Sequence, residues 1–500
     1  MARSRFSRRS FLKAAGTIAG TSLLSPIPGF SQSAIPRPKE PVSQIDSPAD
    51  YTLTIAVRPI EIAPNRILSL TTYNGQFPGP LLRFKEGQQV TIDIHNQTDT
   101  PEQLHWHGQF VSTDVDGAAE EGTPFIAPHR SRRISFVPKP SGYRFYHTHV
   151  RAAANLSSGQ YSGLVGPVYI EPKNNPGNYD REVFLTLKEF EPTFSRGGDM
   201  AMDFLSPAIP AKSLKDAGES AMKASLAKGM PHGLEVGYGS FTINGRMLGH
   251  GEPIRVKQGE RVLFHILNGS ATEIRSLALP EHTFTVLALD GNPIPKPTHV
   301  PGLWLGTAER VSAIVEMNHP GVWTMGDLAD DDRHHGMGIV VEYAGQKGKS
   351  QWIAPKPFHW NYAHFGKAEA TIPEPDQIFE MTFAKQNAAK DGFNLWTIND
   401  AAFSENRMQP MFQVKEGKPY RLRMRNASDD IHPIHLHRHS FELTRVAGQP
   451  TSGVMKDVVM VGGYQEVEVD FVADNPGFTL FHCHQQLHMD FGFMALFEYV

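Results

Sequence analysis

The sequence predicts an all-β protein built from three tandem β-sandwich domains. One segment recurs three times, as RFKEGQQVTIDIHN at 83–96, RVKQGERVLFHILN at 255–268 and QVKEGKPYRLRMRN at 413–426. Its alternating residues follow the two-residue period of a β-strand, and helical periodicity is scarce elsewhere. The copies lie much farther apart than the roughly 20–50 residues of a solenoid repeat, so tandem domains are expected.

A second element recurs downstream of the first. SGYRFYHTH at 141–149 matches PGFTLFHCH at 476–484, and HPGVWTMGD at 319–327 is a middle copy without the paired histidines. Strand-rich repeats of this length predict β-sandwich domains. We expect the domain boundaries at 50–172, 181–345 and 359–500.

The segment 211–229, AKSLKDAGESAMKASLAKG, departs from the strand pattern. It is rich in helix-forming residues and carries one apolar face. We therefore expect a short helical insert in the middle domain.

The composition is that of a globular protein rich in turns and strands. Of 500 residues, 40% are hydrophobic and 20% are charged, with 44 Gly, 38 Pro and a formal net charge of −4. The sequence has no basic patch that would indicate nucleic-acid binding and no acidic tail that would indicate an interaction arm.

Residues 1–34 predict an export signal. MARSRFSRRSFLKAAGTIAGTSLLSPIPGF has a basic head and an apolar run interrupted by Gly, Ser and Pro. This run is too short to cross a bilayer, so no stable membrane span is expected in the mature chain. SRRSFLK at 7–13 resembles the twin-arginine signal of bacterial export. That resemblance implies passage of the folded protein through the twin-arginine machinery to a periplasmic or secreted location.

The sequence contains a single cysteine and four close groups of histidines. Cys483 is the only cysteine, so it cannot form an internal disulfide. The histidine groups are His105/His107, His147/His149, His432/His435/His437 and His482/His484/His488.

The spacing within these groups predicts two separate sites. In a strand, residues two apart share a face and adjacent residues point to opposite faces. Each H-x-H pair therefore projects together, whereas Cys483 points away from His482 and His484. His432, three residues before His435, falls on the face opposite its pair. One site would hold His432, Cys483 and His488, and the other the eight paired histidines.

These ligand sets favour copper. Two histidines and a thiolate suit a copper ion of the blue electron-transfer type, whereas zinc usually takes a fourth strong ligand or a water. Eight imidazoles are too many for one ion and suit two or three. Because Cys483 is joined through the backbone to His482 and His484, electrons accepted at the thiolate site can reach the histidine site through either neighbour.

HWHG, HTH, HPIHLHRH and HCHQQLH, in this order, resemble the four copper motifs of three-domain multicopper oxidases, the laccase family. The resemblance implies cupredoxin-like Greek-key sandwiches and four copper ions, one of type 1, one of type 2 and a type 3 pair. By motif, the type 1 ligands would be His432, Cys483 and His488. The type 2 ligands would be His105 and His435. One type 3 copper would take His107, His147 and His484, and the other His149, His437 and His482.

Three positions depart from the family pattern. The axial position, five residues after the second type 1 histidine, is Phe493, with Met494 next. Without a thioether ligand, the reduction potential of the copper should rise. Met489 stands where many bacterial members carry a proton-relaying glutamate, and Asp490 is the candidate substitute. Arg438 stands where the family commonly has glycine.

Asp116, in DVDG, falls where the family keeps an acid beside the histidine cluster. A carboxylate there can deliver protons for the reduction of O₂ to water. The alternative is a simple Asp-Gly turn.

The resemblance implies an exported enzyme that oxidises a phenol or aromatic amine in one-electron steps and reduces O₂ to two waters. One alternative is a metal oxidase acting on Cu(I) or Fe(II) in metal tolerance. The 17 methionines include no methionine-rich segment, which disfavours Cu(I). Another alternative is a non-catalytic cell-envelope cupredoxin protein, which would be expected to lack copper ligands that are all present here.

Overall fold

A computed structural model of the chain describes residues 48–173, 177–195, 204–205, 214–216, 218, 220, 233–367, 374–404, 409–446 and 448–500. The predicted export signal lies outside the described residues. Most of the predicted insert also lies outside them, although residues 214–216, 218 and 220 within it are helical.

The first part of the chain folds into two sheets that share one core. Its strands are β1 (Tyr51–Ala63), β2 (Arg66–Tyr73), β3 (Leu82–Lys85), β4 (Val90–Asn96), β5 (His105–His107), β6 (Ser131–Phe136), β7 (Gly142–His147) and β8 (Val165–Glu171). Helix α1 (Thr113–Asp116) and the 3-10 helices Ala119–Glu121 and Gly159–Tyr161 lie between strands. The sheet orders are β2-β1-β4-β6 and β3-β8-β7-β5. Ile92 of one sheet and Val168 of the other belong to the same buried core.

The middle part contains one large sheet and two small ones. Its strands are β9 (Arg181–Ser195), β10 (Glu235–Ile243), β11 (Ile254–Val256), β12 (Arg261–Asn268), β13 (Arg275–Leu277), β14 (Phe284–Leu289), β15 (Asn292–Val300), β16 (Leu303–Leu305), β17 (Arg310–Glu316), β18 (Val322–Gly326) and β19 (Gly338–Tyr343). Helix α2 (Asp330–His334) precedes β19. The sheet orders are β10-β9-β12-β17-β14-β15, β11-β19-β18 and β13-β16.

The last part again forms two sheets, preceded by a 3-10 helix at Tyr362–Phe365. Its strands are β20 (Gln377–Lys390), β21 (Phe393–Ile398), β22 (Phe412–Val414), β23 (Pro419–Asn426), β24 (His432–Leu436), β25 (Phe441–Val446), β26 (Gln449–Pro450), β27 (Met455–Lys456), β28 (Val458–Val461), β29 (Glu466–Val472), β30 (Thr479–Cys483) and β31 (Met494–Tyr499), with helix α3 (Gln486–Asp490). One sheet has the order β21-β20-β23-β29-β25-β26, with β27 on β25, and the other β22-β31-β30-β24-β28.

The alternation in the first repeat corresponds to strands with one buried face. In β23, Tyr420, Leu422 and Met424 are buried. The intervening arginines form ion pairs across to β29, where Arg421 meets Asp470, Arg423 meets Glu468 and Arg425 meets Glu466. A register shift of one residue would bury these charges, so the sequence fixes the register.

The glycine of each repeat makes the turn into its strand. Gly87, Gly259 and Gly417 have φ values of 77°, 81° and 78°. L side chains rarely adopt this left-handed region, which explains glycine at all three positions.

The all-β prediction is confirmed. Ala49–Val500 forms one compact unit, and apolar residues of the middle and last parts share a continuous core. Because this compact unit is not divided further, the domain boundaries proposed from the sequence remain predictions. Among the residues described, no helix combines the length and apolar character needed to cross a bilayer.

Candidate metal centre

Cys483 lies with two histidines in a buried group of three donors. Its Sγ is 3.7 Å from His432 Nδ1 and 3.5 Å from His488 Nδ1, and the two nitrogens are 3.2 Å apart. Strand β24 supplies His432, the end of β30 supplies Cys483 and helix α3 supplies His488. The arrangement is the two-histidine, one-thiolate set expected from strand parity.

Burial disfavours the charged forms of the side chains in this group. It raises the pKa of the Cys483 thiol, and burial with the charge of Lys385 lowers the pKa of His488 to about 3. The imidazole is therefore neutral and able to act as a ligand. A thiolate at this depth would need an adjacent metal ion to compensate its charge.

Aromatic rings enclose the group. The Phe493 ring centroid is 4.8 Å from that of His432, and Trp396 lies 4.8 Å from His432 and 4.2 Å from His488. Met494 packs instead with Leu480 in a separate apolar cluster. The residue at the position predicted to be axial is thus a phenyl ring that packs on His432.

The eight paired histidines form a second buried pocket. In the register of the sheets, His105 is opposite His147 across β5 and β7, and His435 is opposite His482 across β24 and β30. Three groups have ligand atoms within 4.8 Å of one another: His105/His107/His435, His107/His147/His484 and His149/His437/His482. The first and last parts of the chain contribute four histidines each.

Unsatisfied nitrogens show that this pocket suits metal ions. Partners on the protein hold one nitrogen of several rings: His147 Nδ1 donates to Thr148 O at 2.7 Å and His435 Nδ1 to Asp457 O at 2.7 Å. Among the described residues, no hydrogen-bond partner is found for His105 Nε2, His107 Nδ1, His147 Nε2, His435 Nε2 or either nitrogen of His149 and His484. Buried polar atoms are rarely left unpaired, whereas metal-bound histidines commonly use the other nitrogen for such an orienting bond.

Burial also keeps these imidazoles neutral. It lowers the pKa of His107, His147, His149 and His435 well below the usual value, and neighbouring histidines lower each pKa further. The charge of Asp457 opposes this shift at His435, and the hydrogen bond to Thr148 opposes it at His147. For His482 the pKa falls to about 4. Neutral rings are the form that binds metal.

Asp116 lies inside the histidine pocket. Its Oδ2 accepts from His437 Nδ1 at 2.9 Å and from His105 Nδ1 at 3.1 Å. The pocket thus has an acid where the sequence predicted one, held by rings from both ends of the chain.

Two further acids near the pocket were missed in the sequence. Glu121 Oε1 is 3.5 Å from His437 Nδ1, and Glu120 Oε2 is 4.0 Å from His149 Nδ1. Burial and then Asp116 raise the pKa of Glu121 well above its usual value. These acids follow Asp116 by four and five residues in the same loop. This proximity in sequence was the only signal that could have predicted their position near the histidines.

Asp490 lies away from the ligand groups. Its Oδ2 accepts from the backbone N–H of Ala152 at 3.0 Å and of Ala153 at 2.7 Å, and its Oδ1 accepts from Gln486. Burial raises its pKa to about 7. It belongs to none of the five groups of potential metal ligands in the described residues. Its predicted role in proton transfer therefore has no support from a direct contact with those groups.

A buried ion network, also missed in the sequence, supports the pocket. Asp457 Oδ1 accepts from His107 Nε2 at 3.1 Å. Arg310 binds both oxygens of Asp457 at 2.6 Å, and Arg144 lies 3.3 Å from Oδ2. Arg144, Arg310 and Asp457 come from the first, middle and last parts of the chain. No local motif marks these residues, because their partners are far apart in sequence.

Arg438 is buried at φ 58° and donates to Val111 O, Phe478 O and Pro476 O. Its guanidinium therefore anchors neighbouring backbone segments, which offsets the strain of a left-handed non-glycine residue.

Comparison with known proteins agrees with this geometry. Three family models, each described as multicopper oxidase, match residues 56–175, 214–342 and 371–500, which together exceed half of the chain. The chain belongs to the multicopper oxidase family.

One relative matches nearly the whole chain, and another matches a large part of it. Multicopper oxidase MmcO of Mycobacterium tuberculosis is 28% identical over 99% of this chain and 97% of its own. A copper resistance protein A homolog of Pseudomonas syringae pv. tomato is 29% identical over 71% of this chain and 61% of its own. Among solved structures, Fet3p, a multicopper oxidase that functions in iron import, superposes with a TM-score of 0.71 at 18% identity, covering 90% of both chains.

A multi-copper oxidase from Pseudomonas thermotolerans superposes with a TM-score of 0.66 at 24% identity, covering 90% of this chain and 98% of its own. The fold is accordingly that of three cupredoxin-like domains. As a multicopper oxidase, the protein is a copper-dependent oxidoreductase that uses O₂.

Proposed function

We propose that this multicopper oxidase couples four one-electron oxidations of a phenolic or aromatic amine substrate to the reduction of O₂ to two waters. The single observation that carries the proposal is the side-chain alternation at 482–484. Cys483 faces His432 and His488, while His482 and His484 face the eight-histidine pocket.

Four copper ions would occupy these groups. The type 1 ion would be held by His432, Cys483 and His488, and the type 2 ion by His105 and His435. The type 3 pair would be held by His107, His147 and His484 and by His149, His437 and His482. Bound copper supplies one-electron transfer at the first group and the reduction of O₂ at the others.

The protein supplies connection, orientation and protons. Two peptide bonds connect Cys483 with ligands of both type 3 positions. Asp116 accepts from the Nδ1 atoms of His105 and His437 and would pass protons to the pocket. A proton from Asp490 would have to reach the pocket through intervening groups, because the Asp490 carboxylate binds the backbone N–H groups of Ala152 and Ala153.

The surroundings of Cys483 favour an organic reductant. Phe493 stands at the predicted axial position, and a blue copper site held here without a thioether ligand would have a higher reduction potential. A high potential suits phenols. The alternative, oxidation of Fe(II) or Cu(I), is favoured by relatives whose names refer to iron transport and copper resistance.

We also propose export by the twin-arginine route to the periplasm or beyond. This proposal is supported by SRRSFLK at 7–13. The test is the location of the protein when Arg8 and Arg9 are replaced by Lys, compared with the parent. Normal export of the variant would contradict the proposal.

Oxygen uptake by the copper-loaded protein tests the main proposal. A phenol, Fe(II) and Cu(I) are compared at matched concentrations, and the ratio of reductant to O₂ consumed is measured. We expect turnover with the phenol and a ratio of four. Turnover with the metal ions alone would contradict the substrate assignment.

A further inference from the structure

A pair of acids lies beside the Cys483 group. Ser428 Oγ is 2.8 Å from His432 Nε2, and Asp429 and Asp430 follow directly in the chain. Adjacent carboxylates are hard oxygen donors that attract Fe(II) and other divalent cations. If a metal reductant could reach them, they would bind it close to a type 1 ligand, since Asp430 lies two positions before His432.

Lys385 of β20 occupies this acid pair. Its Nζ is 2.5 Å from Asp429 Oδ1 and 2.6 Å from Asp430 Oδ2. Burial alone would lower the pKa of Lys385, but Asp430 and Asp429 raise it above its usual value, so the side chain is a cation at neutral pH. Both facing oxygens are engaged, and one of the two negative charges is cancelled.

The same ammonium faces the electron-accepting site. Lys385 Nζ lies 5.6 Å from the centre of the Trp396 ring, which contacts His488 and His432. A cavity of about 180 Å³ opens next to it, lined by Lys385, Asn387, Ser428, Asp429 and Tyr464. Because the ammonium holds the facing oxygens of both carboxylates, a metal cation could bind here only by displacing Lys385, whereas a neutral molecule has no such requirement.

We propose that Lys385 determines substrate class, because it occupies the Asp429–Asp430 pair and excludes metal cations from the cavity beside His432. The inference rests on the proposed function. The reductant then admitted is a neutral phenol or aromatic amine. Each phenol loses one electron and one proton to give a phenoxyl radical, and four electrons with four protons reduce O₂ to two waters.

Replacing Lys385 with Met in the copper-loaded protein tests this role. The variant removes the ammonium from both carboxylates, and each Fe(II) can deliver one electron as it becomes Fe(III). We expect the KM for Fe(II) to fall about tenfold or more, with kcat changing less, because ligand charge count sets cation affinity. Mn²⁺, monitored by electron paramagnetic resonance, should bind the variant at one added site. Loss of the nearby positive charge should also lower the type 1 reduction potential.

Lys418→Met is the matched control, because Lys418 pairs with Asp376 at 3.1 Å on the surface of the same part of the chain. It should change neither Mn²⁺ binding nor the type 1 potential. Lys385→Arg should restore exclusion of Fe(II). Adding Asp429→Asn and Asp430→Asn to the Lys385→Met variant should abolish the gained Mn²⁺ site.

A folded Lys385→Met protein without a gained Mn²⁺ site and with the parental KM for Fe(II) overturns the inference. If that variant does not fold, Lys385→Gln, which keeps a hydrogen-bond donor beside the carboxylates without the positive charge, decides by the same two measurements: a gained Mn²⁺ site with a lowered KM for Fe(II) supports the inference, and parental values of both overturn it. Failure of the proposed function is distinct, since it would show as a parent protein that oxidises metal ions and no phenol.

Discussion

The Cys483 group and the eight-histidine pocket differ in how much of the chain builds them. The first draws all its donors from 432–488, within one part of the chain. The second needs His105 to His149 from the first part and His435 to His484 from the last. A site within one sandwich depends on local strand geometry, whereas a shared pocket also depends on how sandwiches dock. Substitutions can therefore damage one site and spare the other.

The largest expected effect is that of Cys483→Ser. Removing the thiolate eliminates the soft ligand of the local site, through which electrons would enter the backbone path to His482 and His484. We expect complete loss of the blue absorption and of oxygen uptake, while metal analysis still finds copper in the histidine pocket. Turnover at the parental rate would contradict the comparison, because the pocket would then accept electrons by itself.

Asp116→Asn should act on the shared pocket alone. The amide keeps the size of the side chain but removes the carboxylate that accepts from His105 and His437. We expect turnover to fall by roughly 10²–10⁴-fold, the usual contribution of a positioned acid–base group. Stopped-flow reduction of the blue absorption by substrate should stay at the parental rate. Slowed reduction would place Asp116 in substrate oxidation instead.

Asp457→Asn should weaken the docking that the shared pocket needs. It leaves the buried Arg310 without its main partner, and breaking a buried ion pair costs roughly 3–5 kcal/mol of unfolding free energy. Denaturant unfolding measures the loss. The control is Asp470→Asn, which breaks the more exposed pair with Arg421 and should cost about 0–1 kcal/mol. Equal losses would argue against a special role for the buried network.

Phe493→Met should give the smallest effect and act on the local site alone. A thioether beside His432 and Cys483 should lower the type 1 potential and slow phenol oxidation by less than about tenfold. Redox titration of the blue absorption measures the shift, and the copper content should stay at the parental level. An unchanged potential would mean that the side chain at 493 does not reach the metal.

What could be predicted from the sequence follows the same division. Strand parity around Cys483 predicted two groups of side chains, and the structure brings the same residues together in two buried groups; their role as ligands stays a prediction. A two-residue period needs no knowledge of distant contacts. Phe493 was placed by counting along one segment. The association of Asp457 with Arg310 and Arg144 could not be predicted, since it depends on three sandwiches meeting. Glu121 lay close to Asp116 in sequence, but only the docked pocket shows that it faces His437.

The Arg144–Arg310–Asp457 contact joins all three sandwiches at a point without water access, so no sandwich can detach without exposing an unpaired charge. The whole of Ala49–Val500 should then melt in a single cooperative transition, with equal calorimetric and van 't Hoff enthalpies. The copper content would then measure whether all three sandwiches are assembled, because a partly assembled molecule would not retain its metal.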